Sequence, residues 1–191
     1  MNHDERDQLA LGESLSIREM RSAEFVPDQL DTREIARNSL RSEQLLRRLQ
    51  LIEDTRSLDD KKDEHGAIEQ TLQRLEARLE LLTALVSRVM ERRGESREVE
   101  ILWSNEGAIL PAGNAAPGAL GWLRIQPADW MPDSIALPAK VIAADENRMW
   151  LRFEHMPATQ HSALEQHLFR MHRREIAEQR RARLHDEDAV D

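Results

Sequence analysis

The sequence predicts an α+β protein in which long solvated helices accompany a small antiparallel β-unit, either a barrel or a sandwich. Three observations carry this prediction. Of 191 residues, 33% are charged, 40% apolar and only 4% aromatic, too solvated a balance for one compact globule alone. Residues 31–93 contain no Pro and a single Gly, whereas residues 97–191 hold all four Trp and six of the seven Pro. An apolar 4-3 repeat runs through the middle of the chain and stops at Gly94.

Residues 1–30 are short and mixed. Leu15-Ser16-Ile17-Arg18 alternates apolar and polar, and Glu24-Phe25-Val26-Pro27 closes the stretch, so a strand or two is expected there. Asp31-Thr32-Arg33-Glu34 has the capping-box spacing, an acceptor followed three residues later by Glu. Ile35, Leu45, Leu46, Leu49 and Ile52 then recur at helical intervals, giving a first helix over 31–54. Asp54-Thr55-Arg56-Ser57 interrupts it, with Thr55 or Ser57 able to cap a second helix.

That second helix carries the clearest pattern. Ile68, Leu72, Leu75, Leu79, Leu82, Val86 and Val89 are spaced 4, 3, 4, 3, 4, 3, an a/d seam sustained over about three heptads. Leu72 and Leu79 fall at a, and Ile68, Leu75 and Leu82 at d. Leu at a with Ile at d favours higher order, while Leu at d favours dimers, so the heptads alone leave the strand number open. Each buried side chain of this size contributes about 1.5–3 kcal/mol before entropy is subtracted. Leu81 and Leu85 add apolar surface outside the seam, where helix 31–54 could form an outer layer. Self-assembly is the expectation. The alternative is an intramolecular hairpin of 31–54 on 58–93.

Beyond residue 97 the period changes to two. Glu98–Trp103, Gly121–Ile125, Ile135–Ala143 and Arg148–Phe153 read as strands, with Asp145-Glu146-Asn147 as a hairpin turn. After Pro157, Ser162-Ala163-Leu164-Glu165 has capping-box spacing, and Leu164, Leu168 and Met171 form the apolar stripe of a last helix. Asp186-Glu187-Asp188 begins a tail, 186–191, expected to be disordered.

Catalytic chemistry is not on offer. The chain has no Cys, and it lacks a Gly-x-Ser-x-Gly elbow, a phosphate-cradling glycine loop and a His-Glu-x-x-His motif. His155, His161, His167 and His172 cluster around the last helix, but His167 and His172 do not share a helix face, so surface histidines rather than a metal site are expected. A net charge of −9 argues against nucleic acid as the main partner. Six Arg against two Glu between residues 166 and 185 make the last helix locally basic, which leaves nucleic-acid binding as a minor alternative. No apolar run reaches the ~18–20 residues of a membrane helix, and no signal-peptide core follows the charged start, so a soluble cytoplasmic protein is expected.

Ser104-Asn105-Glu106-Gly107-Ala108-Ile109-Leu110, Pro117-Gly118 and Trp122-Leu123-Arg124-Ile125 together resemble the middle of a PilZ domain. Ile135–Ile142 and Met149–Phe153 resemble its next two strands, and Leu164–Arg174 its closing helix. The resemblance implies a six-stranded β-barrel of the kind that often receives the bacterial second messenger cyclic di-GMP. It places a first strand near Ser14–Val26, with residues 31–93 inserted before the remainder at 97–185. That arrangement is similar to an atypical PilZ subgroup whose two inserted helices assemble a parallel four-stranded coiled coil, and it implies a parallel homotetramer.

Nucleotide binding in the family uses Arg-x-x-x-Arg ahead of the first strand and Asp/Asn-x-Ser-x-x-Gly on a following one. Ser104 and Gly107 match the second motif, but Leu102 replaces its polar first member. Losing that acceptor costs roughly 1–3 kcal/mol. Before Ser14 the only arginine is Arg6, so the first motif is missing from its place. Arg93 and Arg97 have the spacing but lie after the heptads, and Arg33/Arg37 and Arg148/Arg152 share it, as an Arg-rich chain produces by chance. The resemblance thus implies a non-enzymatic adaptor that engages a protein partner in cyclic di-GMP signalling, with weak or no direct nucleotide binding and no other cofactor. The alternative is a direct receptor with a displaced site at Arg93, Arg97, Ser104 and Gly107.

Overall fold

The structure, a computed structural model, describes residues 2–57, 71, 74, 75, 77–82, 98–128, 130, 131 and 133–188. Ile68, Leu72, Val86, Val89, Arg93 and Arg97 lie outside the described residues. The described elements are α1 (His3–Leu11), β1 (Ile17–Pro27), α2 (Thr32–Ser57), β2 (Glu98–Trp103), β3 (Gly107–Pro111), β4 (Leu120–Ile125), β5 (Ile135–Ala144), β6 (Arg148–Phe153) and α4 (Ala158–Asp188). Residues 71, 74, 75 and 77–82 are helical and are called α3.

The six strands close into an antiparallel barrel in the order β1-β2-β3-β6-β5-β4. Closure is the work of β1. Its first half pairs with β2, from Ile17 opposite Trp103 to Ser22 opposite Glu98. Its second half passes to β4, from Ala23 opposite Ile125 to Pro27 opposite Gly121. A strand that feeds two neighbours leaves no free edge at the seam. The residues near Ser14–Val26 thus form one barrel strand, and the helical region does interrupt the barrel.

The interior is filled by Ile101, Trp103, Leu123, Ile125, Ile135, Leu137, Val141 and Leu151, and Leu46 of α2 with Leu164 and Leu168 of α4 joins the same core. β6 stops opposite Ala139, so the backbone of β5 beside Ala136 lacks a strand there. The helices supply its partners. Ser42 Oγ donates to the Ala136 carbonyl at 3.1 Å and accepts from its amide at 2.9 Å, while Gln160 Nε2 donates to the same carbonyl at 3.1 Å. Both helices are thereby pinned to one barrel end, consistent with the need to satisfy buried backbone groups.

Asp31 caps α2 as the spacing predicts, its carboxylate accepting from the Arg33 amide at 3.1 Å. Other boundaries move. α2 continues through Asp54–Ser57, where an interruption is expected. α4 starts at Ala158, with the His161 amide bonded to the Pro157 carbonyl at 3.0 Å, so Ser162 sits inside the helix and is not its cap. The Gln160 anchor fixes this earlier start. α4 also runs through Asp186-Glu187-Asp188, where a disordered tail is expected, because extending a formed helix costs far less than nucleating one.

The largest departure is α1, which lies ahead of the strand expected from Ser14 onward, where the sequence leads to no helix. Only Ala10 and Leu11 of this helix are buried, so it has almost no apolar period to detect. Its start is nonetheless written in the chain: Asn2 Oδ1 accepts from the Glu5 amide at 2.8 Å and the Glu5 carboxylate accepts from the Asn2 amide at 3.0 Å.

Candidate functional site

Ser104 and Gly107 lie together in the β2–β3 turn, closed by the Ser104 amide donating to the Gly107 carbonyl at 2.9 Å. Ser104 is fully buried. Its hydroxyl accepts from the Glu106 and Gly107 amides at 3.0 and 3.3 Å and donates to the Leu11 carbonyl at 2.9 Å. A hydroxyl engaged in this way stabilises the turn and the end of α1. A Cβ on Gly107 would fall 2.2 Å from the Ala10 carbonyl oxygen and 2.3 Å from that of Leu151. The glycine is required because α1 and β6 both press their backbones onto it. Leu102, which replaces the polar member of the motif, packs against the cluster of Ala10, Leu11, Ile109, Ala143 and Trp150. The face on which Ser104 and Gly107 lie is therefore the seat of α1.

Trp150 anchors the helix. Its Nε1 donates to the Asp7 carboxylate at 2.6 Å, the Arg6 guanidinium lies 5.1 Å from its ring centroid, and the His3 ring stands 5.5 Å away. Arg6 also pairs with Asp145 at 3.3 Å. The Asp145 carboxyl is held below its usual value, foremost by the Asn147 amide, with the Arg148 amide and the charges of His3 and Arg6 adding to this against partial desolvation. At the other end of α1, Arg152 donates to the Leu9 and Ala10 carbonyls at 3.2 and 3.4 Å and pairs with Glu106, which also accepts from the Ser14 hydroxyl at 2.8 Å. A cation on the last carbonyls of a helix satisfies orphaned acceptors and complements its dipole.

The motif picks out Ser104 and Gly107, and the fold brings them together. It does not pick out Arg152 or Trp150, whose partners come from α1, or Glu106, which meets Ser14 just beyond that helix, all more than 90 residues earlier in the chain. Arg93 and Arg97 lie outside the described residues.

The histidines of the last helix are not all at the surface. His167 is 1% exposed and meets Trp103 edge-on with ring centroids 6.1 Å apart. Burial, reinforced by Arg170, Arg21 and Arg174, pushes its pKa down to about 3, with only a small offset from the Pro127 carbonyl. The unfolded chain therefore takes up this proton near pH 6.5, well before the folded one. Stability from this group is full above about pH 6.5 and is lost as pH falls, by about 2 kcal/mol at pH 5, levelling off below about 3. Urea unfolding at pH 7.5 and pH 5 is expected to show this loss, and His167→Gln to diminish it. An unchanged pH dependence in the variant contradicts the assignment. Among the described residues no group of His, Asp or Glu is arranged to hold a metal.

α3 completes the candidate surfaces. Leu81 packs toward Leu45, Leu49 and Met131, Ala77 is buried, and Glu80 pairs with Arg48 of α2 at 3.1 Å. Leu75, Leu79 and Leu82 instead stand 51%, 60% and 56% exposed. One face of α3 is thus spent on α2, and Leu75, Leu79 and Leu82, the described members of the heptad seam, are left exposed. Among the described residues no helix is long and apolar enough to cross a membrane.

Residues 46–181 match the family model described as atypical PilZ domain, cyclic di-GMP receptor. The chain belongs to this family of PilZ-type receptor domains. It is also similar to the crystal structure of a pathogenic protein from Xanthomonas campestris, described as a tetrameric PilZ domain self-assembled via an unusual helical bundle. The two share 31% identity over 92% of this chain and 97% of the other, with a TM-score of 0.72. No curated protein matches the chain.

Proposed function

We propose that this protein is a non-enzymatic, cytoplasmic PilZ adaptor that assembles through its inserted helices and binds cyclic di-GMP weakly or not at all. The observation that carries the reading is α1 seated on Ser104 and Gly107, with Leu102 in the apolar cluster beneath it. A nucleotide directed to those two residues has to displace a helix held by Trp150, Asp7 and Arg152, and finds Leu where a polar contact is needed. Calorimetry of the full chain at micromolar concentration is expected to give no saturable heat with cyclic di-GMP. Saturable binding at that concentration overturns the adaptor reading.

The exposed Leu75, Leu79 and Leu82 support a homotetramer of parallel α3 helices with α2 as the outer layer, and the tetrameric neighbour from Xanthomonas supports the same number. Four barrels on one stalk engage a protein partner with avidity beyond the affinity of one barrel. The family's description as a receptor favours a second reading, a displaced nucleotide site that includes Arg93 and Arg97. Heat that is saturable and abolished by Arg97→Ala supports that reading. The nucleic-acid alternative is weaker, since Arg174 of the basic helix is paired with Glu53 at 3.1 Å.

A further inference from the structure

The barrel face beneath α1 is built to hold the end of a helix. Arg152 donates to the Leu9 and Ala10 carbonyls, the Ser104 hydroxyl donates to that of Leu11, and Gly107 lets the helix backbone approach with no side chain between. Trp150 Nε1 meets a carboxylate one turn earlier, at Asp7. Between these polar groups Leu102, Ile109, Ala143 and Trp150 make an apolar floor. Every one of these groups belongs to the barrel strands or the β2–β3 turn, so the seat is complete without α1.

α1 fills this seat incompletely. It buries only Ala10 and Leu11, and Leu9 stands 55% exposed. Its Arg6–Asp145 pair keeps contact with water and therefore contributes little. Beside the helix a cleft of about 460 Å³ stays open, lined by Gln8, Leu9, Gly12 and Glu13 on one side and by Ile142 and Arg152 on the other. The seat thus extends past what α1 covers. An element with so little buried apolar surface opens locally while the rest of the fold stays intact. Another helix can reproduce each of its contacts and also fill the cleft.

We propose that this face is the docking site for a helix of a protein partner, and that α1 occupies it as an internal stand-in. The partner helix carries a carboxylate one turn ahead of a small–large apolar pair and ends on a glycine, as Asp7, Ala10, Leu11 and Gly12 do. Where α1 has Gln8, the partner places a bulky apolar side chain in the cleft against Ile142, and this added burial lets it replace α1. The inference rests on the adaptor reading above, and the two fail separately. Saturable cyclic di-GMP binding overturns the adaptor, whereas the experiment below contains no nucleotide.

The test uses the full chain, with a fluorescein-labelled peptide of residues Asn2–Gly12 as the probe and fluorescence polarisation as the readout. Leu11→Ser in the full chain loosens its own α1 while leaving the barrel interior untouched, since Leu11 packs outside it. The peptide is expected to bind this variant saturably and about tenfold or more tighter than wild type, because internal occupancy lowers apparent affinity by the fraction of chains that are closed. Asp7→Ala in the full chain, which removes the Trp150 contact, is expected to act in the same direction. Gln8→Leu in the peptide is expected to tighten binding about fivefold, and Leu11→Ser in the peptide to abolish it. Adding Arg152→Gln to the Leu11→Ser chain is expected to weaken binding about tenfold. The site is refuted if the peptide binds neither loosened chain, if it binds wild-type and loosened chains equally, or if Arg152→Gln leaves the affinity intact. Binding that Gln8→Leu fails to tighten contradicts the partner's place in the cleft.

Discussion

Replacing Leu75 and Leu82 together by Asp is expected to reduce the mass in solution to the 22.1 kDa of one protomer while the barrel stays folded. Both side chains are more than half exposed in the protomer, so their loss costs the isolated fold little. In the proposed assembly each is a d-position knob, and each burial contributes about 1.5–3 kcal/mol, repeated in every copy. The replacement also carries carboxylates into the seam, where like charges face one another without partners. Leu81→Asp is a different experiment. Leu81 packs toward Leu45 and Leu49, so its replacement unpacks α3 from α2 within the protomer. Sedimentation velocity with circular dichroism separates the two outcomes. An unchanged mass for the Leu75/Leu82 double variant contradicts the seam.

Gly107→Ala is the second large effect. The added methyl would meet two carbonyl oxygens, of Ala10 and Leu151, at less than 2.5 Å, and neither is the end of a flexible side chain. One belongs to α1 and the other to β6, so relief requires α1 to lift or the β3–β6 pairing to open. Overpacking of this kind costs about 1–3 kcal/mol. For a chain of this size each kcal/mol lowers Tm by roughly 2–4 °C, so thermal unfolding should move down by several degrees. If α1 yields first, Trp150 loses the Asp7 and Arg6 contacts and its fluorescence changes without loss of the barrel. A Tm equal to wild type with unchanged fluorescence contradicts the close approach. The same substitution separates structural from ligand roles at this motif position, because it acts in the absence of any nucleotide.

Strands β2, β4, β5 and β6 are legible because they are apolar and bracketed by turn residues, whereas β3, buried at four successive positions, has no alternation to read. Asp145-Glu146-Asn147 reads as a hairpin turn and forms one, with the Asp145 carboxylate accepting from the Asn147 and Arg148 amides at 2.9 Å. Asp31 reads as a cap and is one. The helix α1 escaped because its hold on the barrel is polar and long-range: Asp7 to Trp150, Arg152 to Leu9, Ser104 to Leu11. None of these pairs leaves a periodic mark, and the Asn2/Glu5 box is the one local signal. For the same reason the motif located Ser104 and Gly107 without revealing that their partners are the backbone of α1. His167 sits on a helix that looks basic and solvated in one dimension. Only the packing of α4 over Trp103 turns it inward.

Within the protomer α3 packs on α2, as the hairpin alternative expects, through Leu81 and the Arg48–Glu80 pair, and leaves Leu75, Leu79 and Leu82 exposed. A helix with one face committed to its neighbour and a second, heptad-spaced face left to solvent has buried only part of its apolar surface. In the proposed assembly, association of copies buries the remainder.

The central claim is that copies of this chain join through that second face and that the join does not depend on nucleotide. Multi-angle light scattering of the full chain, with and without cyclic di-GMP, tests it most directly. The expected result is a mass four times the 22.1 kDa of the protomer in both conditions. A single-protomer mass, or a larger mass that appears only when the nucleotide is added, contradicts it.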